Sequence, residues 1–434
     1  MFKKHKRESL TLRRDLGLFD ATLAGVGIIV GAGIYVLIGA AAGYAGNAIW
    51  IAFIISAIAA FLTGLSYAEL SSIYPNDSAE YSYAHHTFGK AIAFVTGYLV
   101  MISLVLAGAA VSLGFGGYLS KLIGVSGMIV PIAIASIAVF SIVNYIGIKL
   151  SMKLNVILTA LSIIGLLFII VFSIGKYSEI NYYEAPFGIG GIFKAASLIF
   201  FAFIGFETVV KLSEETKNPR KTIPLALLLS LGISSILYIL VSFSAIRVYG
   251  WEKLSQSSAP LSDVAFSLLG NNAWLFISVI AIVSTGNTVL LNLVGLSRVI
   301  HGMSKEYLML NFFSKINLKT NTPHYAILFS AIATILFTLF GDIEFTAELC
   351  NFSVFASFLI INLALIRSRY IKHRHELFHE PLNFGKFPML ALLGFFSTIF
   401  LIGNMTANSL FGGIILTVIG IPIYYFLQKG NAKH

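Results

Sequence analysis

Twelve stretches of this sequence, each 18 residues or longer, carry almost nothing but apolar side chains. They run over about 18–42, 48–73, 90–119, 127–148, 153–175, 190–211, 223–248, 272–300, 324–341, 346–366, 387–405 and 410–427. About 20 such residues in a helix cross the hydrocarbon of a bilayer. Only 11% of the chain is charged and 57% is hydrophobic, whereas a soluble domain has about 25% charged residues. The expectation is an all-α membrane protein with twelve transmembrane helices.

The charges test that count. If the N-terminus is cytoplasmic and the spans alternate, 24 of the 29 Lys and Arg residues fall inside. Only Lys121, Lys176, Lys194, Arg247 and Lys253 fall outside. Every loop then obeys the positive-inside bias, and a missed span would scramble the pattern. The outer loop with Asp342, Glu344 and Glu348 has no Lys or Arg. The net charge of +10 therefore reports topology and gives no reason to expect a nucleic-acid partner. Cys350 is the single cysteine, so no intrachain disulfide can form. The basic N-terminus precedes an apolar run too long for a signal-peptide core, so it is expected to be retained.

Two spans are interrupted. Gly25, Gly27, Gly31 and Gly33 lie within nine residues of span 1, and each glycine costs a helix about 1 kcal/mol against alanine. Span 6 carries a second interruption at Phe200-Phe201-Ala202-Phe203-Ile204-Gly205-Phe206-Glu207. Broken helix survives in a bilayer only when buried in protein or lining a cavity. Paired breaks in two halves point to a transporter binding site. Close helix packing through small residues is the plainer reading, and Gly27 and Gly31 fit its spacing. Five spans separate the breaks, so the halves have opposite orientation. The expected organisation is a tail at 1–17, repeat 1 at 18–175, repeat 2 at 176–370, and spans 11 and 12 with the C-terminus at 371–434.

Three stretches carry a family resemblance: GVGIIVGAGIYVL at 25–37, YAELSSIYPNDSAEYSYAHHTFGK at 67–90, and FFAFIGFETVVKLSEETKNPRKTIP at 200–224. Span 8 and its exit, from Ser284 to Leu310, add to them. The chain resembles the amino acid–polyamine–organocation superfamily of secondary transporters. It departs in having Ser78-Ala79 where paired glycines are usual. The resemblance implies a LeuT-like five-plus-five inverted repeat with discontinuous helices 1 and 6, and alternating access to a midplane site.

An amino acid brings two charges to such a site. A helix restarting at Gly31–Gly33 offers backbone N–H groups and partial positive charge, which suit a carboxylate. Ala32 and Gly33 are the expected donors. The end of the first half-helix offers carbonyls for the ammonium, with Ile29 the candidate, joined by Phe201 and Ile204; Ala202 lies between them. The family's binding positions map onto these residues. The resemblance also implies that Phe201 is an aromatic lid and that Asn292 faces the substrate side chain. Phe203 is expected to pack, and Asn287 to hydrogen-bond between helices. Glu207 is an intramembrane acid, a functional candidate by default, in gating or proton uptake; a carboxylate that merely locks the helix is the alternative.

The coupling ion is undecided between sodium and proton. A hard cation needs several oxygens. The resemblance implies a cation site between span 1 carbonyls and span 8 hydroxyls, as in LeuT-like sodium symporters, and here the carbonyls of Gly27, Val30 and Ala281 and the hydroxyls of Ser284 and Thr285 have the matching spacing. Proton-coupled relatives place a lysine from span 5 there, where this chain has Ser162.

His373, His375 and His379 have metal-ligand spacing, but Arg367, Arg369, Lys372 and Arg374 beside them point to a solvated basic loop. Glu214, Glu215, Asn218 and Pro219 read as a charged turn. No catalytic motif is found, so no enzyme and no cofactor are expected. The expectation is an L-amino acid transporter of the plasma membrane, by symport or exchange, with cytoplasmic termini and no obligate protein partner. The alternative is a polyamine or other organic-cation carrier; polyamines lack a carboxylate, so the Ala32–Gly33 pocket would then need an added acid, for which Glu207 is the intramembrane candidate. A channel would need a continuous polar pore, and a receptor a large domain outside the membrane.

Overall fold

The first apolar stretch does not run as one helix. In the computed structural model, α1 (Leu18–Ile29) stops and α2 (Gly33–Ala45) begins a few residues later. The structure describes residues 16–431 apart from 76–78, 126, 148–151, 177–178, 214, 306–308, 318 and 372–377. Val30 N–H still reaches Val26 O at 2.7 Å, but Gly31 N–H turns back to Ile29 O at 2.7 Å, which ends the helical ladder. Leu16 pairs with the chain after the second break, through Leu16 N–H to Glu215 O at 3.1 Å and Lys217 N–H to Leu16 O at 2.9 Å.

The chain continues through α3 (Ile49–Ile73), α4 (Ala79–Phe88), α5 (Lys90–Leu122), α6 (Ile129–Ile146) and α7 (Met152–Ser173). α8 (Gly188–Ile199) gives way to short 3-10 pieces at Phe200–Phe203 and Phe206–Leu212, separated by Ile204 and Gly205. Then follow α9 (Pro219–Tyr249), α10 (Trp251–Ser255), α11 (Pro260–Leu269), α12 (Asn271–Lys305), α13 (His324–Thr338) and α14 (Ile343–Ile371). A two-residue hairpin, β1 (Asn383–Phe384) with β2 (Phe387–Pro388), leads into α15 (Met389–Gly403) and α16 (Ala407–Asn431). Among the described residues, eight helical segments are long and apolar enough to cross a membrane, with shorter apolar helices between them.

Burial sorts the helices. α5 and α14 are mostly enclosed, whereas α6 and α16 turn most of their surface outward. Val139, Ile142, Ile236, Leu336 and Phe411 stand more than half exposed, an apolar surface that water would not tolerate over so wide an area. Enclosed helices meet through small polar groups: Ser56 Oγ of α3 donates to Ala196 O of α8 at 2.7 Å.

Two sequence expectations need correction. Glu344 and Glu348 do not lie in a loop but in α14, where Glu348 is buried and accepts from the Thr406 hydroxyl. The basic loop after α14 is not simply solvated either. His373 and His375 lie outside the described residues, but Arg369 reaches inward to Glu69 at the end of α3, donating Nε at 2.7 Å and Nη2 to the two carboxylate oxygens. Glu69 has 0% of its surface exposed. A carboxylate that deep needs a partner, and the nearby arginine supplies one. Glu380 N–H donates to the same carboxylate at 3.0 Å, and Arg369 Nη1 donates to Asn383 Oδ1 at 2.5 Å. The hairpin segment is thereby strapped across α3 and α14.

Glu380 is itself 1% exposed; its Oε1 accepts Leu390 N–H at 3.1 Å. Burial pushes this carboxyl up to about 7, with Arg369 opposing and Glu69 adding to the rise. An ordinary value of 4.5 applies once the strap is loose. Between those values the closed strap holds a proton that the open one does not, so closure weakens as pH rises from 4.5 to about 7 and is level above. Hydrogen exchange across 379–391, corrected for intrinsic rates, is expected to be faster at about pH 8 than at about pH 5. Glu380→Gln should remove the difference.

Candidate functional site

The two breaks are built against each other. A Cβ added to Gly33 would stand 2.6 Å from Ala202 Cα, so only glycine lets α2 start this close to the second break. Gly205 has φ +117°, in the left-handed region that disfavours side chains, and a Cβ there would meet Ile28 Cγ2 at 2.9 Å. α1 is docked from behind by α9, where Ser230 Oγ donates to Thr22 O at 3.1 Å. A Cβ on Gly25 would strike that same serine. The breaks are thus one packed unit, and the sequence candidates Ile29, Gly31, Ala32, Gly33, Phe201, Ala202 and Ile204 lie within it.

Among the described residues, the Ala32 and Gly33 N–H groups donate to no backbone carbonyl across the break. They are the free donors of a helix start. The carbonyl side differs from expectation. Ile29 O is not free: it accepts Gly31 N–H at 2.7 Å and lies 2.7 Å from the Tyr238 hydroxyl of α9. The same hydroxyl lies 3.0 Å from Ala202 O. Phe201 O accepts Ile204 N–H at 3.3 Å. Phe201 is buried, and Phe203 packs edge-on against Tyr238 with centroids 5.3 Å apart. Tyr238 was missed in the sequence. A lone tyrosine in the middle of an apolar span is the signal that could have found it, because its hydroxyl must find a partner there.

Glu207 caps the second break, its Oε2 accepting Gly205 N–H at 2.9 Å. One turn on, Lys211 Nζ lies 3.2 Å from Glu80 Oε1 of α4.

α12 presents Ser284, Thr288 and Asn292 at four-residue intervals, on one helical face. Thr288 Oγ1 donates to Ser284 O at 3.0 Å and Asn292 Nδ2 to Thr288 O at 2.9 Å. A Cβ on Gly31 would meet Thr288 Oγ1 at 3.1 Å, so Thr288 faces the first break; its place in the polar stripe was the legible signal. Asn292 lies against Gly108 of α5. Of the expected sodium ligands, Thr285 Oγ1 already donates to Ala281 O at 2.7 Å. Ser284 and Val30 are buried, and Gly27 faces Thr159 of α7. Ser162, in place of the span 5 lysine, donates Oγ to Leu158 O at 3.0 Å, and its own carbonyl accepts the Tyr35 hydroxyl at 2.7 Å.

A multi-pass apolar bundle with two interrupted helices in contact is an arrangement that membrane transporters use. The amino acid permease family matches residues 16–426, and the chain belongs to that family. It is 31% identical to the branched-chain amino acid permease BcaP of Bacillus subtilis (strain 168), over 98% of this chain and 95% of that protein. It is 28% identical to the methylthioribose transporter of the same organism, over 100% of this chain and 98% of that one. It is 32% identical to cationic amino acid transporter 4 of Mus musculus, over 83% of this chain and 61% of that protein.

Proposed function

We propose that the protein is a secondary transporter of L-amino acids in the plasma membrane, alternating access about the two helix breaks. In this reading twelve spans cross the bilayer, the first ten form the LeuT-like five-plus-five inverted repeat, and both termini are cytoplasmic. The observation that carries it is the pair of breaks packed as one unit at Gly33 and Ala202. The first N–H groups of α2, without backbone acceptors across the break, suit a substrate carboxylate, while a carbonyl of the second break suits an ammonium. The permease relatives favour the same substrate class. Coupling runs through Glu207, which sits on the second break and can exchange a proton; Thr285 and Ala281, expected to ligate sodium, bond each other.

The test is uptake of labelled L-leucine and L-arginine into proteoliposomes under a proton gradient, under a sodium gradient, or with internal amino acid only. Proton-driven uptake is expected. In Glu207→Gln, whose amide oxygen can still accept Gly205 N–H but cannot titrate, gradient-driven uptake should fall by about tenfold or more while exchange persists. Uptake driven by sodium and lost in Ser284→Ala would move the coupling to α12. Polyamine flux without amino acid flux would overturn the carboxylate pocket.

A further inference from the structure

Two carbonyls, one from each break, converge on a single hydroxyl. Tyr238 Oη is 2.7 Å from Ile29 O and 3.0 Å from Ala202 O. A phenol has one proton to give. The shorter contact is to Ile29 O, which also accepts Gly31 N–H at 2.7 Å. A carbonyl has two lone pairs, so Ile29 O is then filled. Ala202 O is left facing the tyrosine oxygen at 3.0 Å with no proton of its own between them. Two oxygens so placed repel, and a donor that reaches both relieves the repulsion. The ring cannot turn aside. Tyr238 has 0% of its surface exposed, and Phe203 and Phe53 hold the ring with centroids 5.3 and 5.9 Å away.

The geometry points to Tyr238 as an amine-binding residue: its oxygen and the Ala202 carbonyl form a two-acceptor seat for the α-ammonium of an amino acid, and the Ile29 carbonyl anchors the hydroxyl proton. This rests on the transport reading above and deepens it. An ammonium carries three donors and no acceptor, so it can serve both oxygens at once. With the amine seated, the ammonium bridges the hydroxyl held by Ile29 O and the Ala202 carbonyl, so substrate itself completes the link between the two breaks. A substrate analogue with the carboxylate but no amine would leave both oxygens unserved.

The experiment compares competition by L-leucine and by 4-methylpentanoate, the same skeleton without the amine, against uptake of labelled L-leucine in proteoliposomes of the full-length protein; L-arginine and 5-guanidinopentanoate serve if L-arginine is the better substrate. Wild type is expected to prefer the amine-bearing compound strongly. Tyr238→Phe is expected to weaken the amino acid about ten- to a hundredfold while leaving the des-amino analogue nearly unchanged. A purely structural role would weaken both alike and would overturn the proposal, as would an unchanged preference. If wild type itself does not distinguish the two compounds, the zwitterion site fails and the proposal with it. If wild type distinguishes them and Tyr238→Phe still does, only the proposal fails. Should Tyr238→Phe not fold, 4-aminophenylalanine at position 238 keeps the ring but offers two N–H donors, one for each carbonyl, and no comparable acceptor. It should lose the amine preference, and a wild-type preference in that folded variant would overturn the assignment.

Discussion

Arg369→Ala should cost about 3–5 kcal/mol of stability, because it strands a carboxylate in the interior. Glu69 has no exposed surface, and among the described residues of the strap it would keep Glu380 N–H and the His379 ring, whose Nδ1 lies 3.7 Å away, in place of the bidentate guanidinium. A total stability of about 5–15 kcal/mol leaves little margin for that loss. The reverse change should be milder. Glu69→Ala leaves Arg369, whose side chain is 10% exposed and still donates to Asn383, and a long arginine can lift its head toward water. Converting both to leucine should recover most of the loss, since replacing a buried pair with apolar groups is often neutral. Melting of the detergent-solubilised protein, followed by size exclusion after heating, checks the order: double variant above Glu69→Ala above Arg369→Ala. Equal melting temperatures for the two single variants would mean that water already reaches Glu69.

The long apolar stretches and both helix breaks were legible because each rests on local chemistry. Runs of apolar residues mark the helices, and Gly31, Gly33 and Gly205 mark where the ladder cannot continue. What escaped was what depends on distant partners. Arg369 and Glu69 are 300 positions apart, and nothing local distinguishes an inward-turned arginine from the basic residues around it. Tyr238 escaped for the same reason: the carbonyls its hydroxyl meets belong to α1 and to the break after α8. Ile29 does end the first half-helix, yet its engagement by Tyr238 requires α9 to pass behind it. Sequence locates where backbone groups are set loose; the fold decides which of them another helix claims.

Gly33→Ala should silence transport where Gly31→Ala does not. The glycines are neighbours in the same break, and helix propensity favours alanine equally at both. Their surroundings separate them. At Gly33 the added Cβ meets backbone, 2.6 Å from Ala202 Cα and 3.2 Å from Ala202 N. At Gly31 it meets a hydroxyl, 3.1 Å from Thr288 Oγ1, which a χ1 rotation can move. Overpacking against fixed atoms costs about 1–3 kcal/mol, and here the strain would push the second break off the α2 start. Placed on substrate affinity, it corresponds to about a 5- to 150-fold loss. Ala202→Gly in the same chain should rescue only in part, because it removes the Cβ at 3.1 Å but keeps the Cα at 2.6 Å. Uptake by Gly33→Ala, Gly31→Ala and Gly33→Ala with Ala202→Gly, each at matched amounts of folded protein, gives the comparison. Wild-type transport by Gly33→Ala would mean that the two breaks separate without cost, and the packed junction would then lose its role in holding the substrate.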